Sequence, residues 1–304
     1  MNISENKMNK TEQFSKKSKL RNMLRIWLID HPKFNPYEIK KVGLFRVLTS
    51  PFRVLPDFLI IGAGKCGTTS LYNNMIEHPC IFPASKKEIK FFSRNISGWY
   101  RSYFPSIFQK KFQIWSSKEP FLTGEASTEY ILSEEAAKRI HKIIPNIKLL
   151  VILRNPVDRA YSHYNDLVTY QKEKRSFEEV VESHISKLKK NKGVTHNFNF
   201  QNPNIISTGF YVNQLELWMN YFPKQQFLIL KTEDFKNDPQ KVLDNIFEFL
   251  NLPPYKIPKI MKHNVGTYKK STMEPSTRSK LLKYFLPYNE KLSKLLGVEF
   301  NWEK

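Results

Sequence analysis

The chain has 304 residues, with 49 Lys and Arg against 28 Asp and Glu, for a formal net charge of +21. That length suits one large α/β domain, or one domain with an arm, and 40% apolar residues suffice for a sizeable core. No run approaches the roughly 20 apolar residues of a membrane span, no signal-peptide pattern opens the chain, and two cysteines, Cys66 and Cys80, make no disulfide framework, which favours a reducing, cytoplasmic compartment.

The charge points to an anionic partner, or to a Lys-rich composition with no specific partner. Residues 1–20, rich in Lys, Asn and Ser, read as a disordered basic tail. Residues 21–55 form a basic arm containing Trp27, Phe34, Phe45 and Phe52. Residues 1–55 together hold 12 Lys and Arg against 4 Asp and Glu. The arm either attaches peripherally to an acidic membrane surface or packs on the domain with its charges in water. The lack of a clean helical stripe favours packing.

The domain proper runs over 56–304. Leu59, Ile60 and Ile61 give the short apolar run of a buried parallel strand. Gly62, Gly64 and Gly67 follow and let the backbone approach a ligand. Thr68, Thr69 and Ser70 then open a helix whose N–H groups favour an anion. A Walker A loop needs Lys directly after its last Gly. Here Thr68 stands there, and Lys65 lies inside the loop. The spacing predicts a phosphate cradle without the ATPase arrangement.

The first helix is expected over 68–77 and a strand over 122–125. Ser133 caps a helix running through Ile143. Lys148–Leu153 reads as a second buried strand, with Arg154 at its end. Pro156 suits the first turn of the following helix, Ser162 lies about two turns in, and the helix continues to Lys172. Two anion sites, each at the carboxyl end of a strand, fit a nucleotide with phosphates at two separate places. Further on come a charged surface helix over 177–190 and a long loop over 191–208, suited to covering an acceptor. A helix over 209–221, a strand over 226–230, a helix over 239–250 and a closing helix over 276–296 complete the chain. Strand and helix alternate, which predicts a three-layer, P-loop-like α/β fold with a central parallel sheet flanked by helices.

These segments together resemble the sulfotransferases that use 3′-phosphoadenosine 5′-phosphosulfate (PAPS), over about residues 55–304. The likeness is greatest to heparan-sulfate-type and bacterial members. The Lys65–Ser70 loop is similar to their 5′-phosphosulfate loop, and Arg154 and Ser162 match their 3′-phosphate pair. Lys87–Phe92 resembles the KExHFF motif, and Gly124–Tyr130 the GEKxPxY segment. Phe285–Leu292 and Phe300–Trp302 resemble the closing helix and tail. Lys90 stands where the family has His, and Ala126 where it has Lys.

The resemblance implies in-line transfer of the sulfuryl group of PAPS to a hydroxyl or amine. The acceptor would be an anionic glycan or another carbohydrate- or lipid-linked group, with no metal and no nucleic acid involved. Glu88 is then the general base, and Lys65 stabilises charge on the leaving phosphate. Lys90, two residues from Glu88, would face the same way in an extended segment. It either holds the sulfuryl oxygens or pairs structurally with Glu88. PAPS would be bound by Lys65, Cys66, Gly67, Thr68, Thr69 and Ser70, with Arg154 and Ser162. Lys269 and Lys270 fall where the family closes a basic loop over the 3′-phosphate. Glu125, Ser127 and Glu129 either line the acceptor pocket or cap a strand end. Cys66 either has a thiol pKa depressed by the helix N-terminus or fills space in the loop. Six of the histidines, His78, His141, His163, His184, His196 and His263, show no metal-ligand spacing. Two other functions are weighed. A P-loop kinase or NTPase is disfavoured by Thr68 and by the lack of an acidic metal site. A non-catalytic binder of nucleotide or polyanion is disfavoured by the joint presence of Glu88 and Lys65.

Overall fold

The structure is a computed structural model that describes residues 45–46, 48–93, 100–190, 204–261 and 273–302. The expected tail, residues 21–44 of the arm, residues 191–203 of the long loop, and Lys269 with Lys270 lie outside the described residues.

Five strands, β1 (Phe58–Gly62), β2 (Ile81–Pro83), β3 (Leu122–Ala126), β4 (Lys148–Leu153) and β5 (Phe227–Lys231), form one parallel sheet in the order β2-β3-β1-β4-β5. Every residue of β1 and all but the first of β4 are buried. Their unbroken apolar runs therefore reflect a sheet covered on both faces. The helices are α1 (Thr68–Met75), α2 (Ile107–Ser117), α3 (Glu134–Ile143), α4 (Pro156–Gln171), α5 (Phe177–Lys190), α6 (Tyr211–Met219), α7 (Thr232–Asn237), α8 (Pro239–Phe249) and α9 (Pro275–Leu296). The expected P-loop-like α/β layout is what forms.

Local chemistry sets several helix starts. Ser133 Oγ accepts the Ala136 N–H at 3.1 Å, and Glu134 and Glu135 fill the first turn of α3. Asn155 Oδ1 accepts the Val157 N–H at 3.0 Å, with Pro156 at the first position of α4.

Some elements differ from the sequence reading. Helix α5 is charged outward, but Phe177, Val180, Val181, Ile185 and Leu188 are buried. It is an amphipathic helix sealing a second cluster with Val157, Tyr161, Leu281 and Phe285. Helix α1 stops at Met75, two residues early, and β5 sits one residue later than expected. Strand β2 and helix α2 carry no clear pattern in the sequence. None of the residues of α2 is buried, so no core-facing stripe marks it.

The described end of the arm packs on the domain. Ser50 and Arg53 are buried. Arg53 Nη1 donates to Phe104 O at 2.8 Å, and Val54 N–H to Pro105 O at 3.1 Å.

Gly124 on β3 shows how closely the sheet is covered. A Cβ there would lie 2.5 Å from the ring of Phe58, itself fully buried. Gly124→Ala should therefore lower stability by about 1–3 kcal/mol through overpacking, measured by urea unfolding. An unchanged midpoint would show that Phe58 moves aside freely.

Candidate active site

After β1 the chain turns through the glycine loop into α1. Gly67 has φ +90°, a conformation that L side chains rarely adopt, and its carbonyl accepts the Leu71 N–H at 3.0 Å. The N–H groups of Gly67, Thr68 and Thr69 therefore have no intrahelical acceptor and face the loop. Thr232 Oγ1 lies 2.7 Å from Cys66 O and 2.9 Å from Leu153 O, tying the loop to the end of β4.

Cys66 turns inward. Its N–H is spent on Ala63 O at 3.3 Å, and its side chain is fully buried. Burial pushes the thiol up to about 11, outweighing the positive charges of Arg159 and Arg154. Of the two roles weighed for Cys66, a depressed thiol is not found, because desolvation exceeds the pull of the nearby positive charges. Cys66 fills space and shapes the loop.

Lys65, also at positive φ, reaches out of the loop and places Nζ 2.6 Å from Asp166 Oδ2 on α4. Ser162 precedes Asp166 by four residues and so shares its helical stripe. Arg154 leaves the end of β4, and its Nη1 donates to Lys65 O at 3.4 Å. Its buried Nε has no hydrogen-bond partner in the protein.

The segment after β2 approaches from the other side. Glu88 N–H donates to Ala126 O at 2.9 Å, and Lys90 N–H to Ser127 Oγ at 3.0 Å, which pins this segment to the end of β3. Glu88 and Lys90 each have φ +59°, so the segment is not extended. The expected same-side pair of Glu88 and Lys90 does not form. Instead Lys90 Nζ meets Glu129 Oε2 at 3.0 Å, and Ser93 Oγ donates to Glu129 Oε1 at 2.5 Å. Glu88 is held by Thr128, whose N–H and Oγ1 lie 3.3 and 3.2 Å from its carboxylate oxygens.

Lys87 is the residue that sequence reasoning underrated. Its Nζ lies 2.9 Å from Thr69 Oγ1 and 3.3 Å from Glu88 Oε1, linking the start of α1 to the carboxylate. The sequence signals were adjacency to Glu88 and the first place in the KExHFF-like segment, and neither says which way the side chain points. Seven non-glycine residues among those described have positive φ, and three are Lys65, Glu88 and Lys90. Each such residue costs on the order of 1–3 kcal/mol, and such strain collects at functional sites.

Glu125 and Ser127 do not line a pocket; both are fully buried. Glu125 Oε1 accepts Tyr100 OH at 2.8 Å and Tyr130 OH at 3.0 Å, and Oε2 accepts Ser127 OH at 2.6 Å. Burial raises the carboxyl to about 7 against these three hydrogen bonds, with the charge of Glu88 adding to the rise. Ser127 then accepts from Lys90 N–H, so the buried acid supports the strained segment through one intermediary. Among the described residues, no group of three His, Cys, Asp or Glu side chains is placed to hold a metal ion.

The site thus joins an amide-lined loop, an arginine with a free buried nitrogen and an accessible carboxylate, all at the carboxyl ends of parallel strands. That is the layout of a nucleotide-using transferase. The sulfotransferase domain family matches residues 55–285, and the chain belongs to that family. It is 32% identical over 219 residues to the human bifunctional heparan sulfate N-deacetylase/N-sulfotransferase 3, covering 66% of this chain. The chain spans only 23% of that protein's length. It is 29% identical over 284 residues to the mouse heparan sulfate glucosamine 3-O-sulfotransferase 5, covering 82% of this chain and 74% of that protein. A solved sulfotransferase from Alicyclobacillus acidocaldarius superposes with a TM-score of 0.64 at 27% identity, covering 83% of this chain and 100% of that one. The kinase and non-catalytic readings are not favoured beside these matches.

The raised carboxyl of Glu125 has a consequence for stability. Below pH about 4.5 it is protonated in both folded and unfolded chains. As pH rises from 4.5 to about 7, the unfolded carboxyl ionises while the folded one keeps its proton, so stability falls. Glu125→Gln removes that slope while retaining an acceptor for the two tyrosines. The difference in urea midpoint between wild type and variant should drift against the wild type across this window. A constant difference would show that Glu125 ionises normally.

Proposed function

We propose that the protein transfers the sulfuryl group of PAPS to a hydroxyl or amine of an anionic glycan, with Glu88 as general base. The observation that carries this reading is the bridge of Lys87 between Thr69 and Glu88. It sets a carboxylate two hydrogen bonds from an anion-binding helix start.

The residues present fit such a donor. The open amides of Gly67, Thr68 and Thr69, with the hydroxyls of Thr68, Thr69 and Ser70, suit a 5′-phosphosulfate. The unpartnered buried Nε of Arg154 suits a second phosphate, with Ser162 on the neighbouring helix. Lys269 and Lys270, outside the described residues, remain assigned to that phosphate by family likeness. When bound, PAPS supplies an already activated sulfuryl group.

Lys65 and Lys87 place two ammonium groups beside the loop and stabilise negative charge developing there. Lys65 is held by Asp166, but the two side chains are 30% and 41% exposed. Such a pair is worth about 0–1 kcal/mol, so an anion of higher charge can take Lys65 from it. Glu88, 29% exposed, accepts the proton of the acceptor. The ion pair of Lys90 with Glu129 supports a structural role for Lys90 over a hold on the sulfuryl oxygens.

A glycan acceptor is supported by the heparan sulfate relatives and by the net charge of +21, which suits an anionic polymer. The buried cysteines Cys66 and Cys80 support a reducing compartment such as the cytoplasm. Among the described residues, no helix is long and apolar enough to cross a membrane.

Three measurements test the reading together. 3′-Phosphoadenosine 5′-phosphate should raise the melting temperature well beyond AMP or ATP with Mg²⁺, and equal shifts would sink the donor assignment. Arg154→Ala should weaken that nucleotide by about tenfold or more, as loss of a charge-assisted contact predicts. Glu88→Gln should cut labelled-sulfate transfer onto desulfated heparan by about 10²–10⁴-fold with nucleotide affinity near normal. Full turnover in that variant would move the base elsewhere.

A further inference from the structure

Helix α2 is built unlike the other helices of the domain. Phe108, Phe112 and Trp115 are 72%, 65% and 70% exposed. They sit at i, i+4 and i+7, so they form one stripe along the helix. The rings of Phe112 and Trp115 lie 6.1 Å apart between centroids. Lys111 flanks the stripe, and Lys118 closes the helix in a left-handed cap. The other side of α2 is tethered: Lys110 Nζ lies 3.8 Å from Asp57 and over the ring of Phe121.

A second apolar group lies beside the start of α2. Phe45, Leu48 and Phe52 are all exposed. Their segment is bound to the residues leading into the helix by Arg46 Nη1 to Ser102 O, Arg101 Nη1 to Arg53 O and a bridge between Arg53 and Ser106. Residues 45–54 and 100–118 together hold six Lys and Arg and no Asp or Glu.

We propose that this face docks on an anionic phospholipid surface, with Phe108, Phe112 and Trp115 entering the headgroup layer. Large aromatics set among lysines are the composition that favours a charged bilayer interface. Charge decides between occupants. A second copy would bring the same basic segments against themselves, and like charges facing each other oppose that pairing. Residues 1–44 hold ten Lys and Arg against four acids, so that segment also carries the wrong sign to cover the patch. An anionic surface complements both the stripe and the net charge of +21.

The placement suits such docking. The contact of Lys110 with Asp57 puts α2 beside the amino ends of β1 and β3. Lys65, Glu88 and Arg154 gather at the carboxyl ends, so a docked protein keeps its crevice toward solvent.

The test is co-sedimentation of the full chain with vesicles of phosphatidylcholine alone or mixed with phosphatidylglycerol. Wild type should pellet with the anionic vesicles and much less with the neutral ones. A Phe108→Ser/Phe112→Ser/Trp115→Ser variant should lose at least about tenfold in partitioning, since apolar insertion and charge add. Its melting temperature should not fall, because the three side chains contact water in the folded state. No binding by wild type overturns the proposal. So does unchanged binding by the triple variant, which would assign membrane affinity to charge alone. A wild-type dimer that the triple variant dissolves, seen by light scattering, would make the face a self-interface and also overturn it.

Discussion

Strands β1 and β4 are hydrogen-bonded neighbours, but the order β2-β3-β1-β4-β5 sends the chain to opposite sides from them. A crevice opens where connections part in this way, at the carboxyl ends of the strands. Each charged group of the site enters it from a different strand end. Lys65 comes from the loop after β1, Arg154 from the turn after β4, and Glu88 from a segment pinned to the end of β3. The groups are far apart in sequence, so their meeting is a product of sheet order and not of any local motif. Changes that disturb the fit of β3 against β1 should therefore reach the site even when they touch none of its residues.

Glu125, Asp166 and Glu88 all stand near this crevice, and the structure treats them differently. Glu125 is sealed, and burial pushes its carboxyl up to about 7, so its two oxygens accept three hydrogen bonds without a full buried charge. Asp166 is half-exposed, and its contact with Lys65 is weak enough to exchange. Glu88 lies between these extremes, accessible but positioned by Thr128 and Lys87. Of the three, it alone combines access with fixed geometry, as a base needs. The strain of the Glu88–Lys90 turn is offset by its backbone bonds to Ala126 and Ser127, and Ser127 is in turn oriented by Glu125. A buried acid thus contributes to the site through its support of a strained backbone.

Much of this was legible in the chain. The apolar runs at 59–61 and 148–153 are buried strands because a parallel sheet hides both faces, and the glycine loop leads into a helix as its spacing demands. Ser133 and Asn155 cap their helices by side-chain chemistry that is local and therefore readable. What could not be read depended on long-range contact or on burial. Lys90 turned to Glu129 because Glu88 and Lys90 adopt positive φ, which no propensity of Glu or Lys suggests. Cys66 gained no acidity because the fold buries it, and α5 hid a face that its charges obscured.

Helix α2 escaped detection for a reason that bears on its use. An eleven-residue helix is marginal alone, and this one buries no residue to offset that cost. It is kept by the Ser106 cap, where Oγ accepts the Gln109 N–H at 3.0 Å, and by the contacts of Lys110 with Asp57 and Phe121. A sequence under selection for stability alone would turn its apolar side chains inward. Here three aromatics face water, at the sheet end away from the crevice. The helix therefore contributes little to the core, and its aromatic stripe can change without cost to the fold. Surface contact and chemistry can then be tuned separately, because the sheet places them at opposite ends of its strands.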